Sequence, residues 1–162
     1  GGIMTIHQEF RGGAPVGQMD ELPLLEMSVI VYFRMMASSK ETREALKKDF
    51  LLAFGEDHGL YYSNQFEEFY SKLATQSRRK IMHHELNCKC FGGDESAVAN
   101  IISFAAIGNV KDAELLAYNL VSGDLAKEIV NYAEHIGLGL RLMLDRFPIP
   151  IISTHNPRGM CH

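Results

Sequence analysis

The stretch Leu24-Leu25-Glu26-Met27-Ser28-Val29-Ile30-Val31-Tyr32-Phe33-Arg34-Met35-Met36-Ala37 decides the fold. Apolar side chains cover nearly every side of a helix drawn through it, so it reads as a central helix, buried in the chain or shared with a partner. Its β-branched trio Val29, Ile30 and Val31 would also suit a strand. The segments that follow are helical in period. Ser38-Ser39 offers an N-cap, and Leu46, Phe50, Ala53 and Phe54 then recur at helical spacing up to Gly55. Ser63 reads as the next cap, ahead of the stripe Phe66, Phe69, Tyr70, Leu73, with an end near Ser77.

Further along, Asp94 is the expected N-cap of a helix buried through Val98, Ile101, Ile102 and Ala105 and closing at Gly108-Asn109. Val110, Ala113, Ala117 and Leu120 mark another helix. Asp124 is expected to cap a long one, striped by Ile129, Tyr132, Ala133, Ile136, Leu140 and Met143. Gly137 and Gly139 inside it permit a kink or a close helix approach, because each lowers helix propensity by about 1 kcal/mol relative to alanine. About six helices with short connections and no alternating strands predict an all-α, single-domain bundle. The expected organisation is a flexible N-terminal arm over 1–20, a bundle over 21–147 and an extended tail over 148–162, the tail entered through Pro148 and Pro150. Gly1-Gly2 ahead of Met4 reads as an expression scar.

A chain of 162 residues is long enough to bury a sizeable core without a metal or disulfides. The net charge of -4 supplies no general attraction to nucleic acid or to an anionic membrane. The Leu24 to Ala37 run carries Glu26 and Arg34 and falls short of the roughly 20 residues a membrane span needs. Cys88 and Cys90 stand too close in sequence to close a disulfide without strain, and the chain reads as cytoplasmic rather than as a stapled secreted fold.

Unusual chemistry concentrates in His83-His84-Glu85-Leu86-Asn87-Cys88-Lys89-Cys90-Phe91-Gly92-Gly93-Asp94-Glu95. Imidazole and thiolate donors this close suit zinc or another borderline-soft cation, so His84, Cys88, Cys90 and His83 are the candidate ligands. On a continuing helix His84 and Cys88 would share a face. A further ligand could come from Asp94, His58, His135, His155, Cys161 or His162. The pattern lacks the two-residue spacer of a zinc knuckle, and buried cysteines beside solvated histidines are the ordinary alternative.

The same residues allow a thiol reading, with a cysteine near a helix N-terminus, although Asp94 and Glu95 put negative charge beside it. His84-Glu85-Leu86-Asn87-Cys88 also departs by one residue from the HExxH zincin motif, and a thiolate in place of the second imidazole would weaken the Lewis acid. Gly92-Gly93-Asp94 has no lysine at a phosphate-loop position, so those glycines read as a turn into a helix. Glu56-Asp57-His58 reads as a solvated loop. Arg78-Arg79-Lys80 is a basic cluster of the kind favoured at a helix C-terminus, and the helix from Asp124 is too acidic for a groove reader.

The segment Cys88-Lys89-Cys90-Phe91-Gly92-Gly93-Asp94-Glu95, with histidines before it and an alanine-rich helical hairpin after it, resembles small all-helical bacterial proteins of unknown function. That resemblance implies a bacterial protein and no particular activity. The leading expectation is a non-enzymatic regulatory or adaptor protein with a structural zinc-type site, meeting a protein partner or a second copy through Leu24 to Met36. The rivals are a metal-dependent enzyme or thiol redox sensor built on the same residues, and a metal-free helical scaffold.

Overall fold

The computed structural model describes residues 12–147. Within them lie helices α1 (Leu24–Ser38), α2 (Lys40–Phe54), α3 (Glu56–Gln76), α4 (Gly93–Ala106), α5 (Val110–Leu120) and α6 (Gly123–Arg146). Two short strands, β1 (Pro15–Gln18) and β2 (Cys90–Gly92), pair antiparallel with a bulge between Pro15 and Gly17. The all-α bundle is therefore present, with a small sheet added where no alternating pattern announced one. No described helix is long and apolar enough to cross a membrane.

Helix α1 is the centre of the bundle because its sequence leaves it nowhere else to go. Val29, Ile30, Val31, Tyr32, Phe33, Met35 and Met36 are all buried, and α1 packs against α2, α4, α6 and α3. Its all-round apolar character is thus satisfied inside this one chain. The expected docking of a partner or a second copy through Leu24 to Met36 finds no support, since that surface is already covered.

Around α1, the fully buried Phe66, Phe69 and Leu73 of α3, Ile101 and Ile102 of α4, and Ile129 and Ile136 of α6 close the core. Each contributes about 1.5–3 kcal/mol by leaving water. Gly137 allows the close approach foreseen for it: a Cβ there would lie 2.7 Å from Ala106 Cβ and 3.1 Å from the Ile102 carbonyl oxygen. Helices α4 and α6 meet almost backbone to backbone, and α6 runs unbroken through both glycines.

Several caps differ from their sequence reading. Ser39 does cap α2, its Oγ accepting from the Thr42 amide at 3.1 Å. Helix α3, however, begins at Glu56 and absorbs both the expected loop Glu56-Asp57-His58 and the expected cap Ser63, which is buried within it. Gly55, with φ of 81°, makes the turn between α2 and α3 in a single residue, so no loop is needed. Asp124 stands in the first turn of α6, which follows Ser122. Asp94 likewise lies inside α4 and is not its cap.

The expected N-terminal arm divides. Residues 1–11 and the tail 148–162 lie outside the described residues. Residues 12–21 are instead docked as a strap: β1 pairs with β2, a 3-10 turn covers Met19–Glu21, the Met19 amide donates to the Lys89 carbonyl at 2.6 Å, and the Asp94 amide donates to the Gly12 carbonyl at 2.9 Å.

Candidate functional site

The segment between α3 and α4 has no regular structure from Ile81 to Lys89 apart from a turn at Leu86-Asn87. A local hydrogen bond from the Cys88 amide to the Glu85 carbonyl, at 3.0 Å, folds this segment back on itself. The turn carries Cys88 to His84: Cys88 Sγ lies 3.4 Å from His84 Nδ1. The two residues do meet, as their spacing anticipated, but through a tight turn rather than along a helix face.

The other ring nitrogen settles the tautomer. His84 Nε2 lies 2.6 Å from the Gly13 carbonyl oxygen, which can only accept, so Nε2 carries the hydrogen. In the neutral ring Nδ1 is then an acceptor, and the Cys88 S–H donates to it. A thiol, an imidazole and an orienting carbonyl stand in series, contributed by Cys88, His84 and the strap. This is the nucleophile, base and orienter arrangement that activated thiols use. Both side chains are buried, His84 at 8% exposure and Cys88 at 6%. They border an open cavity of about 400 Å³ whose walls are Gly13, Ala14, Met82, His83, His84, Glu85 and Cys88.

Polar contacts from the core hold this loop from behind. Arg34, wholly buried in the C-terminal half of α1, donates through Nε to Glu95 Oε2 at 2.6 Å and through Nη2 to Glu95 Oε1 at 3.1 Å. It also donates through Nη1 to the Cys88 carbonyl at 2.7 Å and through Nη2 to the Cys90 carbonyl at 2.6 Å. Glu95 Oε1 in turn accepts from the Gly92 amide at 3.0 Å, which caps α4 from its own first turn. The cap expected of Asp94 is therefore supplied by Glu95. Asp94 is instead bound by Arg79 through two hydrogen bonds, of 2.7 and 2.6 Å, and by the Met82 amide at 2.8 Å. The hydrogen bonds to Asp94 are also the main reason that the Arg79 guanidinium is held above its ordinary pKa. Among the described residues no buried side-chain nitrogen or oxygen lacks a partner.

The other candidate ligands go elsewhere. His83 is exposed, and its Nδ1 lies 3.1 Å from the His84 carbonyl oxygen, the acceptor of that contact. Cys90 is buried on β2, where Gln18 Nε2 lies 3.5 Å from its sulfur. The CxC pair does not close on itself: Cys88 is a thiol, whereas Cys90 is disulfide-bonded. His58 is exposed on α3, and His135 Nδ1 lies 3.0 Å from Gln65 Oε1. His155, Cys161 and His162 lie outside the described residues. Among the described residues no group of three or more His, Cys, Asp or Glu is placed to hold an ion.

Sequence reasoning found His84 and Cys88 but missed Gly13 and Arg34. For Arg34 there was a signal, a lone cation among the apolar residues Val29 to Met36, which demands a buried partner. For Gly13 there was none, because any residue has a carbonyl. Compared with known proteins, the chain matches no family model, no curated protein and no solved structure. The resemblance to small all-helical bacterial proteins rests on its sequence motif alone.

Proposed function

We propose that the chain is a thiol-reactive helical protein in which Cys88 is the nucleophile and His84 its base. The observation that carries this reading is the aligned series Cys88 Sγ, His84 Nδ1, His84 Nε2 and Gly13 carbonyl at the edge of a cavity. As the sulfur bonds to an electrophile, its proton passes to Nδ1 while Nε2 stays anchored. With a peroxide, the sulfur–oxygen bond forms as the oxygen–oxygen bond breaks, and the proton on Nδ1 goes to the leaving oxygen, giving a sulfenic acid on Cys88. A cavity of this size suits small electrophiles, as a thiol sensor or a small-substrate enzyme would meet.

The test is alkylation of the full chain with iodoacetamide, followed at Cys88 by peptide mass spectrometry. His84→Gln is expected to slow modification at pH 7 by about tenfold or more and to change the shape of the pH–rate profile. Equal rates and profiles in the two proteins would overturn the reading.

One observation favours a second reading, the structural zinc-type site. Ligands at about 2.3 Å (sulfur) and 2.0 Å (nitrogen) from a tetrahedral zinc stand about 3.5 Å apart, close to the separation seen here, and metal-bound histidines commonly anchor their other nitrogen on a carbonyl. Elemental analysis of protein purified without chelator or polyhistidine tag decides it. Stoichiometric zinc, lost in Cys88→Ser together with a drop in melting temperature, would replace the thiol reading.

A further inference from the structure

We infer that Arg34 is the positioning residue of the Cys88–His84 pair, a role beyond its ion pair with Glu95 that rests on the thiol reading above. Arg34 is the one charged residue buried on α1, and its Nη1 and Nη2 end on the carbonyls of Cys88 and Cys90. The carbonyl between them, of Lys89, turns the other way and accepts from Met19. Carbonyl direction along 88–90 is thus dictated residue by residue, inward, outward, inward.

With its carbonyl held toward α1 and its amide committed to the Glu85 carbonyl across the turn, Cys88 has both peptide groups fixed. Its Cα–Cβ bond then has one direction left, toward His84 and the cavity. A buried pair of opposite charges alone would need only the two contacts between Arg34 and Glu95. The two further donors point at the thiol's own peptide and at that of the second residue beyond it. A lysine could keep the charge but not the fork, because its ammonium is a single point on a flexible stem.

The experiment separates positioning from stability by sign. Loosening the loop for any structural reason exposes Cys88 and speeds its alkylation, whereas moving the sulfur off its base slows it. The variants are R34K and the double variant R34M/E95M, which removes both buried charges so that neither is stranded. Each is compared with wild type in the iodoacetamide reaction at Cys88, alone and in the H84Q background, with folding followed by circular dichroism. The expected result is a rate about tenfold lower in either folded variant, with no further loss when H84Q is added. A folded variant that reacts at the wild-type rate or faster overturns the inference, and R34K is the reading variant should the double one not fold. Failure of the thiol reading itself looks different: wild type and H84Q then react alike before Arg34 is touched.

Discussion

Between α4 and α6, Gly137 rests against Ala106 and the Ile102 carbonyl, and Ile101, Ile102, Ile129 and Ile136 of the same two helices are wholly buried, without a charge among them. Around the 81–92 segment, by contrast, the contacts are those of Arg34, Glu95, Asp94, Arg79 and His84, each hydrogen-bonded to backbone or to an opposite charge. Burial in the first region is non-directional, so many side chains of similar volume would serve. Directional donors in the second specify which way individual carbonyls and one imidazole face. Such fixed directions rigidify the polar corner, and the proposed Cys88–His84 pair sits within it.

The contrast breaks most sharply at Arg34. Replacing it alone by methionine strands Glu95 in the core, and chemical denaturation should show a loss of about 3–5 kcal/mol, most of it recovered in R34M/E95M. No recovery in the double variant would mean that the corner depends on the carbonyl contacts rather than on the charge pair. In the apolar core, on α3, Phe66→Ala should cost about 3–5 kcal/mol as well, because the ring is wholly buried, and no second substitution at a charged site should recover it.

Glycine substitutions sharpen the comparison. In Gly137→Ala the new methyl would meet Ala106 at 2.7 Å, so a stability loss of about 1–3 kcal/mol is expected with Cys88 reactivity unchanged. Gly92→Ala meets the Gly12 carbonyl oxygen at 2.7 Å and pushes on the strap that supplies the Gly13 carbonyl. Its effect should appear in slower Cys88 alkylation. If both variants changed stability alone, the strap would have no part in the site.

The smallest expected effect concerns pH. Burial raises the Asp49 carboxyl above its usual range, despite the hydrogen bond from Tyr32 that opposes the shift, and burial pushes the Tyr32 hydroxyl up as well. A carboxyl whose folded pKa exceeds its unfolded value of 3.8 binds the proton more tightly when folded. Stability therefore falls as pH rises from about that value through the raised one. Asp49→Asn should flatten this part of the stability curve, read as melting temperature from pH 3 to pH 7. An unchanged slope would assign the dependence to other carboxyls.

How much of this could be read beforehand differs between the two regions. The stripes Phe66, Phe69, Leu73 and Val98, Ile101, Ile102 announced their helices and their buried faces, because helical period and burial are both local properties of a sequence. Gly137 announced a close approach, though not its partner. At the corner, adjacency in sequence identified His84 and Cys88 but left open what joins them, which is a turn closed by the Glu85 carbonyl and not a continuing helix. Asp94 read as the cap of α4, and only the positions of Arg79 and Arg34 left Asp94 to an ion pair and gave the capping contact to Glu95. The docked strap could not be foreseen, because Gly12 to Gln18 carries no hydrophobic period and is held by backbone contacts.

By itself, then, the sequence determined an all-helical chain with α1 at its centre, because a helix apolar on every side can only be covered, and it determined where soft ligands crowd together. Tertiary structure decided that the cover comes from this chain's own helices, that Cys88 faces an imidazole held by Gly13, and that Arg34 grips the peptides around the thiol. The physical reason is range. Hydrophobic period is written in neighbouring residues, whereas the direction of a hydrogen bond depends on groups brought together from distant parts of the chain.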